Sequence, residues 1–253
     1  MKNTVLLTTF SVALLFLVVW EFLPPALGVP RYIIPTASQC LAEFYRMVRL
    51  DNLVDHTIST FLMTMIGFSV GSFLGATIGY LLGMSVFWEK VLSPYILALQ
   101  IAPKVAFAPL FIMWFGFTFW PKLLVTILIV FFPILVNVLQ AMKTVDRDII
   151  NLARAYNLSR IDIFRKIEFP STLPALLAGL RIGATLAVIG VTVGELVGGN
   201  TGLGFLISYG EGQANAAMVF NAILLLTLIG ILLYSVVTYV EARLLHYIPK
   251  AEF

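Results

Sequence analysis

Residues 123–142 read LLVTILIVFFPILVNVLQAM, a strongly apolar stretch without a single charge. A helix needs about 20 such residues to cross the hydrocarbon core of a bilayer. Stretches of the same kind precede and follow it, and they predict six spans in all. These spans lie at about 4–23, 57–85, 93–117, 123–142, 175–196 and 218–240. We therefore expect an all-α, polytopic membrane protein that forms one transmembrane domain over residues 1–253.

The composition of the whole chain excludes a water-soluble domain. Of its 253 residues, 60% are hydrophobic and only 11% are charged, and the mean hydropathy is +0.99. Soluble proteins carry about 25% charged residues, so this chain has too few charges to cover a soluble surface. The net charge of +3 is too small to predict a nucleic-acid partner. With one cysteine and two distant histidines, the sequence predicts neither a disulfide framework nor a metal site.

The first apolar stretch has two interpretations. A secretory signal would explain Lys2 before it and the small residues after it. The apolar part of a signal peptide is only about 7–15 residues long, however, and this stretch is longer and is followed by further spans. We therefore expect it to be retained as the first transmembrane helix.

The distribution of lysine and arginine predicts the orientation of the spans. These residues are concentrated in the connections on one side, which the positive-inside rule assigns to the cytoplasm together with both termini. The connection 24–56 then lies outside and includes an amphipathic helix near 36–50. Lys122 falls in a short outside connection, and 143–174 forms the longest cytoplasmic loop.

The second span carries a glycine at every fourth position. Glycine is costly within a helix, but small residues at this spacing let a second helix approach closely in a membrane. We expect packing within the chain, and a dimer seam or a moving surface is the alternative. The five residues are Gly67, Gly71, Gly75, Gly79 and Gly83.

Three charged residues inside predicted spans are candidates for a translocation pathway. Lys104 lies near the middle of the third span, where a charge faces an aqueous cavity or a protein partner. Arg181 lies about two turns from the cytoplasmic side, where its side chain can instead reach the interface. Glu195 precedes a glycine-rich segment, which predicts either a simple helix end or an outer gate. His56 is adjacent to Asp55, and we expect an interaction at the helix start rather than a ligand.

The cytoplasmic loop predicts a helix–turn–helix. Asp146 is a suitable N-cap, and Asn157 tolerates the left-handed conformation that ends a helix. A second helix is predicted from 160 to 169, with Pro170 and Pro174 marking the return to the membrane. Apolar residues around the tip predict insertion into a groove of a partner. They are Ile149, Leu152, Tyr156 and Leu158.

This loop resembles the cytoplasmic loop of permease subunits from binding-protein-dependent ABC importers. Their motif is Glu-Ala-Ala, three residues, Gly, nine residues, and then Ile-x-Leu-Pro. The spacing is kept here in the segments 151–153, Asn157 and 167–170, with Asn151 in place of the glutamate. The segments 102–110, 114–116, 131–134, 179–181, 194–195 and 202–207 are similar to the nitrate, sulfonate and taurine branch of these permeases.

The resemblance implies a type I importer permease whose loop carries a coupling helix. Two ATPase subunits, a second permease copy and a periplasmic or lipid-anchored solute-binding protein would be its partners in the bacterial inner membrane. ATP and Mg²⁺ would bind to the ATPase, because this sequence lacks the G-x-x-x-x-G-K-[ST] phosphate loop and is predicted to bind no cofactor. The implied coupling residues are Asn151, Leu152, Ala153, Arg154, Tyr156, Asn157, Leu158, Ile167 and Pro170.

The implied substrate is a small anion such as a sulfonate, taurine or nitrate. A vitamin precursor or an aromatic compound is the alternative, because related branches are proposed to carry thiamine pyrimidines, riboflavin or aromatic acids. An ion-coupled secondary transporter is a rival class, but no internal repeat is visible. A membrane enzyme would need clustered acidic or histidine residues, which the sequence lacks. The spacing of the loop motif disfavours a pure scaffold.

Overall fold

The computed structural model describes residues 2–246, and within them the chain is helical without strands. Eleven helices follow one another in this range. They are α1 (Lys2–Ala26), α2 (Ala37–Leu50), α3 (Leu53–Gly83), α4 (Val86–Ile101), α5 (Ala108–Phe115), α6 (Phe119–Thr144), α7 (Arg147–Ala155), α8 (Arg160–Ile163), α9 (Phe169–Gly198), α10 (Leu203–Gly212) and α11 (Ala216–Leu244). The predicted all-α membrane fold is confirmed.

The predicted spans correspond to the long helices. Among the described residues, five helical segments are long and apolar enough to cross a membrane, and the bent pair α4–α5 is a sixth if counted as one span. The amphipathic helix predicted near 36–50 is α2. Its first turn is closed by a capping box, in which the Thr36 side chain accepts from the backbone of Gln39 and the Gln39 side chain accepts from Thr36.

The third span is broken rather than continuous. Helix α4 ends at Ile101, and a short 3₁₀ turn at Lys104–Phe107 leads into α5. The segment Lys104–Phe115 lies at an angle of 82° to α4. Pro103 lies in the break, where its missing N–H and its restriction of Ala102 to extended backbone end the first helix. The span predicted at 93–117 thus contains a break, and it remains one span only if the bent pair is counted together.

The second half of the predicted loop 143–174 belongs to a long helical segment. The residues 160–198 form one continuous helical segment, in which a π-helical stretch at Phe164–Glu168 joins α8 to α9. Pro170 lies at the start of α9, where its missing N–H costs little, and Pro174 is accommodated inside the same helix. The prediction that these prolines end a separate helix is wrong, because the helix passes through both.

The centre of the protein is α6, which lies between α3 and α9. A Cβ atom added at Gly75 of α3 would lie 2.6 Å from the carbonyl oxygen of Phe131 in α6. From the other side, a Cβ at Gly194 of α9 would lie 2.6 Å from the Cα of Lys122. All five glycines of the predicted ladder contact α6: Gly67, Gly71, Gly75, Gly79 and Gly83. The prediction of packing within the chain is confirmed, and α6 covers this face so that a second copy cannot use it.

Two hydrophobic clusters mark the two ends of this bundle. One extends toward α7 and is formed by α3, α6, α9 and α11, with Tyr80, Val138 and Met142 among its members. The other joins α2, α10 and α11 to the start of α3 around Met47, Leu53 and Leu206. Helix α1 packs little against either: Trp20 lies beside Phe220 of α11, and Glu21 accepts from the backbone of Ser38 in α2.

The predicted orientation remains a prediction, since no membrane is present. Residue 1 and residues 247–253, on which the predicted cytoplasmic location of the termini depends, lie outside the described residues.

Candidate coupling segment and polar clasp

Helix α7 has an apolar face that is exposed on the surface of the molecule. Ile149, Leu152 and Tyr156 are spaced along one face of this helix, and their exposed fractions are 49%, 59% and 75%. Residues at such spacing point in the same direction. We call these three residues the α7 knob. Exposed apolar side chains that project from a short helix fit the groove of a partner protein.

The end of α7 is fixed by a local backbone motif. Asn157 adopts φ = +57°, as its predicted role at the helix end requires. The amide of Leu158 donates to the carbonyl oxygen of Ala153 at 3.1 Å, and the amide of Asn157 donates to Arg154 at 2.8 Å. This pair of bonds is a Schellman motif, which satisfies the last carbonyls of the helix. The buried Ala153 and the half-buried Leu158 lie on its inner side.

Polar side chains cap the starts of the two helices around this turn. The carboxylate of Asp146 accepts from the amide of Asp148 at 2.8 Å, which confirms the predicted N-cap of α7. Ser159 accepts from the amide of Asp162 at 3.1 Å and caps α8 in the same way. Both ends of the turn are therefore held by contacts with residues only a few positions away.

A polar cavity of about 370 Å³ lies behind α7. Asn151 and Arg154 line it from α7, and Glu168 lines it from the helical segment that leads into α9. Across the cavity, Lys143 at the end of α6 forms an ion pair of 2.7 Å with Glu89 of α4. Of the other implied coupling residues, Ile167 is half-buried and Pro170 is exposed.

Lys104 lies at the break between α4 and α5. Its ammonium donates to the backbone carbonyl of Gln100 at 2.6 Å and lies 5.0 Å from the centre of the Phe132 ring. A cation at the C-terminus of α4 stabilises the carbonyl groups that lack a partner there. The structure therefore assigns this lysine a structural contact, and its role in a pathway remains a prediction.

Arg181 pairs with a second spanning helix. Its Nε lies 3.1 Å from the carboxylate of Glu241 in α11. The pair connects α9 to α11 at the α7 end of the bundle.

The opposite end of α9 contains a buried polar cluster, which we call the polar clasp. It consists of the side chains of His56 and Thr60 from α3, Lys122 from α6 and Glu195 from α9. Glu195 and Lys122 have exposed fractions of only 1% and 4%. Charged groups so deep in a membrane protein need partners, because their burial is costly.

The clasp binds the backbone of four consecutive residues, two just before α10 and the first two of α10. Lys122 donates to the carbonyl oxygen of Thr201 at 2.7 Å, and His56 Nδ1 accepts from the amide of Gly202 at 2.9 Å. Thr60 Oγ1 accepts from the amide of Leu203 at 2.8 Å, and the Glu195 carboxylate accepts from Gly204 at 2.9 Å.

Two further contacts close the cluster. The hydroxyl of Thr60 donates to the carboxylate of Glu195, whose two oxygens both lie 2.9 Å away. Thr201 also accepts from Lys122 through its side chain, at 3.1 Å. The start of α10, where Gly202 offers no side chain as a cap, is thus capped from α3 and α9.

The clasp corrects two expectations from the sequence. Lys122 is not in a loop but in the first turn of α6, where it is buried. His56 bonds to Gly202, far along the chain, rather than acting at its own helix start. Glu195 accepts hydrogen bonds from Thr60 and Gly204, and its role in a pathway remains a prediction.

One protein family matches most of the chain. The family described as "Binding-protein-dependent transport system inner membrane component" matches residues 67–246. The chain belongs to this family. It is therefore an inner-membrane permease component, with several apolar helices and its α7 segment inside the matched range.

Relatives of this permease extend over almost its full length. It is 35% identical to the formylaminopyrimidine transport permease protein ThiX of Halalkalibacterium halodurans over 242 residues, which cover 94% of each chain. It is 34% identical to the riboflavin transport system permease protein RibX of Chloroflexus aurantiacus, covering 92% of this chain and 87% of that one. The putative aliphatic sulfonates transport permease protein SsuC of Bacillus subtilis is 30% identical, over 90% and 82% of the two chains.

A solved structure shares the fold of this permease. The MetNI methionine ABC transporter, in an inward-facing conformation, matches with a TM-score of 0.65 and 21% identity. The match covers 76% of this permease and 95% of the MetNI chain. It supports the type I importer fold predicted from the loop motif.

Proposed function

We propose that this chain is the permease subunit of an ATP-driven ABC importer that moves a small solute across the inner membrane. The observation that carries the proposal is the exposed α7 knob, held between the ends of α6 and α9 by a Schellman motif. In this proposal the knob inserts into an ATPase subunit in the cytoplasm. The polar clasp then faces the outside, where a solute-binding protein delivers the solute.

We propose a complex of two permeases and two ATPases. Each permease offers one α7 knob, and two ATPase subunits are needed to enclose ATP between them. A homodimer of this chain is the simplest arrangement, and a heterodimer with a sister permease is the alternative. ATP and Mg²⁺ bind to the ATPase, which has the phosphate loop that this sequence lacks.

Replacement of Tyr156 with alanine tests the knob. A buried aromatic anchor contributes strongly to an interface, so we expect Tyr156→Ala to weaken capture of the ATPase by at least about 30-fold. The matched control is Tyr45→Ala in α2, because Tyr45 is exposed to 62% at the opposite end of the bundle. The measurement is affinity capture of the co-expressed ATPase from detergent extracts.

The two variants separate the outcomes. Loss of capture in Tyr156→Ala alone, with unchanged amounts of permease in the membrane, supports the assignment of α7 as the coupling helix. Equal capture by both variants contradicts it.

We propose a small heteroaromatic compound of the pyrimidine or flavin type as the substrate. Support comes from the identity of 35% and 34% to permeases named for formylaminopyrimidine and riboflavin, each over more than 90% of this chain. The partners of three cations inside the bundle also support a heteroaromatic substrate. Lys104 binds Gln100, Lys122 binds Thr201, and Arg181 binds Glu241, so each cation already has a partner within the chain.

A small anion is the second candidate. It is favoured by the identity to the sulfonate permease and by the further donors of the Lys104 ammonium, which has three N–H groups. An ammonium at the break between α4 and α5 would attract a sulfonate or nitrate but contribute little to a neutral pyrimidine.

The Lys104→Met variant distinguishes these candidates. The substitution keeps much of the volume of the side chain and removes its charge. For a heteroaromatic substrate we expect uptake within about twofold of wild type, since only a helix-end contact is lost. For an anionic substrate we expect uptake to fall about tenfold or more while the ATPase still binds. Uptake of both classes by cells that express the complex is the measurement.

A further inference from the structure

Residues 201–204 are held in place by side chains from three different helices. Each of these residues forms a hydrogen bond through one backbone group, and its partner is a side chain of the polar clasp. Since α3, α6 and α9 are closely packed along their glycines, the clasp fixes the start of α10 to a rigid support.

One of the four bonds depends on the protonation of its acceptor. The amide of Gly202 can only donate, so the ring nitrogen of His56 at 2.9 Å must accept. A neutral imidazole has one accepting nitrogen, whereas an imidazolium carries N–H groups on both nitrogens. Protonation of His56 would therefore place one donor against another and break this bond.

The surroundings leave Gly202 little room to find another partner. It adopts φ = +111°, and a Cβ atom added there would collide with the carboxylate of Glu195. The ring of His56 is itself held against Phe205 of α10, with centroids 5.6 Å apart and an angle of 22° between the planes. A loss of the bond would therefore be transmitted to the start of α10.

Charged groups face His56 from several elements. Asp55 lies next to His56 in α3, and Asp51 lies just before the start of α3. Lys122 faces the ring of His56 from α6. Glu195 of α9 lies across Gly202. The ring is half-buried at the end of the bundle that we place outside, so protons from the external medium reach it.

We propose that His56 is an acid-sensitive positioning residue of the importer. At neutral external pH it holds Gly202 and with it the start of α10, and in acid it releases them and lowers uptake. The transport part rests on the proposed function, whereas the structural part does not. Histidine is the side chain that changes charge between pH 5 and 8 without special surroundings.

Hydrogen exchange tests the structural part on the full chain in lipid nanodiscs. The peptide that contains the amides of residues 202–204 is compared between wild type and His56→Asn at pH 7.5 and 5.5. Asparagine places a carbonyl oxygen as many bonds from Cα as Nδ1, and this oxygen accepts at either pH. Comparison at the same pH cancels the pH dependence of exchange itself.

We expect equal exchange at pH 7.5 and faster exchange in wild type at pH 5.5, up to about fivefold, the ratio that corresponds to complete loss of one hydrogen bond. The control is His246→Asn, at the α7 end of α11, which should behave like wild type. Equal exchange in wild type and His56→Asn at pH 5.5 overturns the proposal. Should His56→Asn fail to fold, an unchanged protection factor of the same wild-type peptide at the two pH values overturns it equally.

Uptake tests the transport part. With the ATPase and the binding protein held the same, the ratio of wild-type to His56→Asn uptake should fall between external pH 7.5 and 5.5, by up to about fivefold if uptake follows the fraction of molecules that keep the bond. A ratio that stays constant overturns the transport part. If neither protein supports uptake at any pH, it is the proposed function that fails, and the exchange result still decides the role of His56.

Discussion

The turns at the two ends of the helical segment 160–198 are held in place by different kinds of contact. At the α7 end, the turn is held by bonds between residues a few positions apart, and apolar side chains are exposed. At the other end, the turn is held by side chains from α3, α6 and α9, and polar side chains are buried. An exposed apolar surface is suited to a partner outside the chain, and a buried polar cluster is suited to hold the chain itself.

This difference predicts which property a substitution at each end would change. A locally closed turn can move as a unit, because its bonds do not depend on the rest of the bundle. A turn bound by three helices cannot move without breaking buried hydrogen bonds, which are costly to leave unmade. Substitutions should therefore affect coupling at the α7 end and folding at the clasp end.

The largest effect is expected from Glu195→Ala. The hydroxyl of Thr60 and the amide of Gly204 lose their acceptor in a buried position. We expect the free energy of unfolding to fall by about 2–4 kcal/mol, as two unsatisfied buried donors imply. The measurement is denaturant unfolding of the purified permease. The control Glu211→Ala removes an exposed carboxylate of α10 and should change stability little, and an equal loss in both variants would contradict the role of the clasp.

A smaller effect on stability, but a large one on uptake, is expected from Asn157→Val. Valine resists the left-handed conformation that Asn157 adopts, at a local cost of about 1–2 kcal/mol. The Schellman turn should open and displace the α7 knob while the permease still folds. Uptake and unfolding are both measured, with Asn157→Gly as the control that tolerates φ > 0. Normal uptake by Asn157→Val would show that this turn is not needed for coupling.

The same comparison explains what the sequence could predict. Asp146 and Asn157 act within a few residues of their own position, so their roles follow from local chemistry and were predicted correctly. The glycine ladder was also predictable, because its regular spacing describes one face of a helix. The clasp was not predictable, since Thr60 and Leu203 are brought together only by the packing of α3 against α9 and α10.

The positions of breaks in the helices were harder to predict than the helices themselves. Pro103 breaks the third span, whereas Pro170 and Pro174 are accommodated in a continuous segment. Pro170 directly follows a π-helical stretch, in which the amide of Phe169 donates to the carbonyl oxygen of Phe164. The helix α10 was missed because glycines at its start and end are typical of a loop. A polar residue such as Thr60 close to the start of a predicted apolar span was the available signal for the clasp.

Cross-linking from the α7 knob tests the central claim most directly. Leu152 and Leu41 are both exposed to 59%, one in α7 and the other in α2 at the opposite end of the bundle. Each is replaced with cysteine in a Cys40→Ala background, and the assembled complex is treated with a short thiol–amine cross-linker. We predict that Leu152→Cys becomes linked to the ATPase subunit and that Leu41→Cys does not. Absence of a link from Leu152→Cys, or an equal link from Leu41→Cys, would contradict the assignment of α7 as the coupling helix.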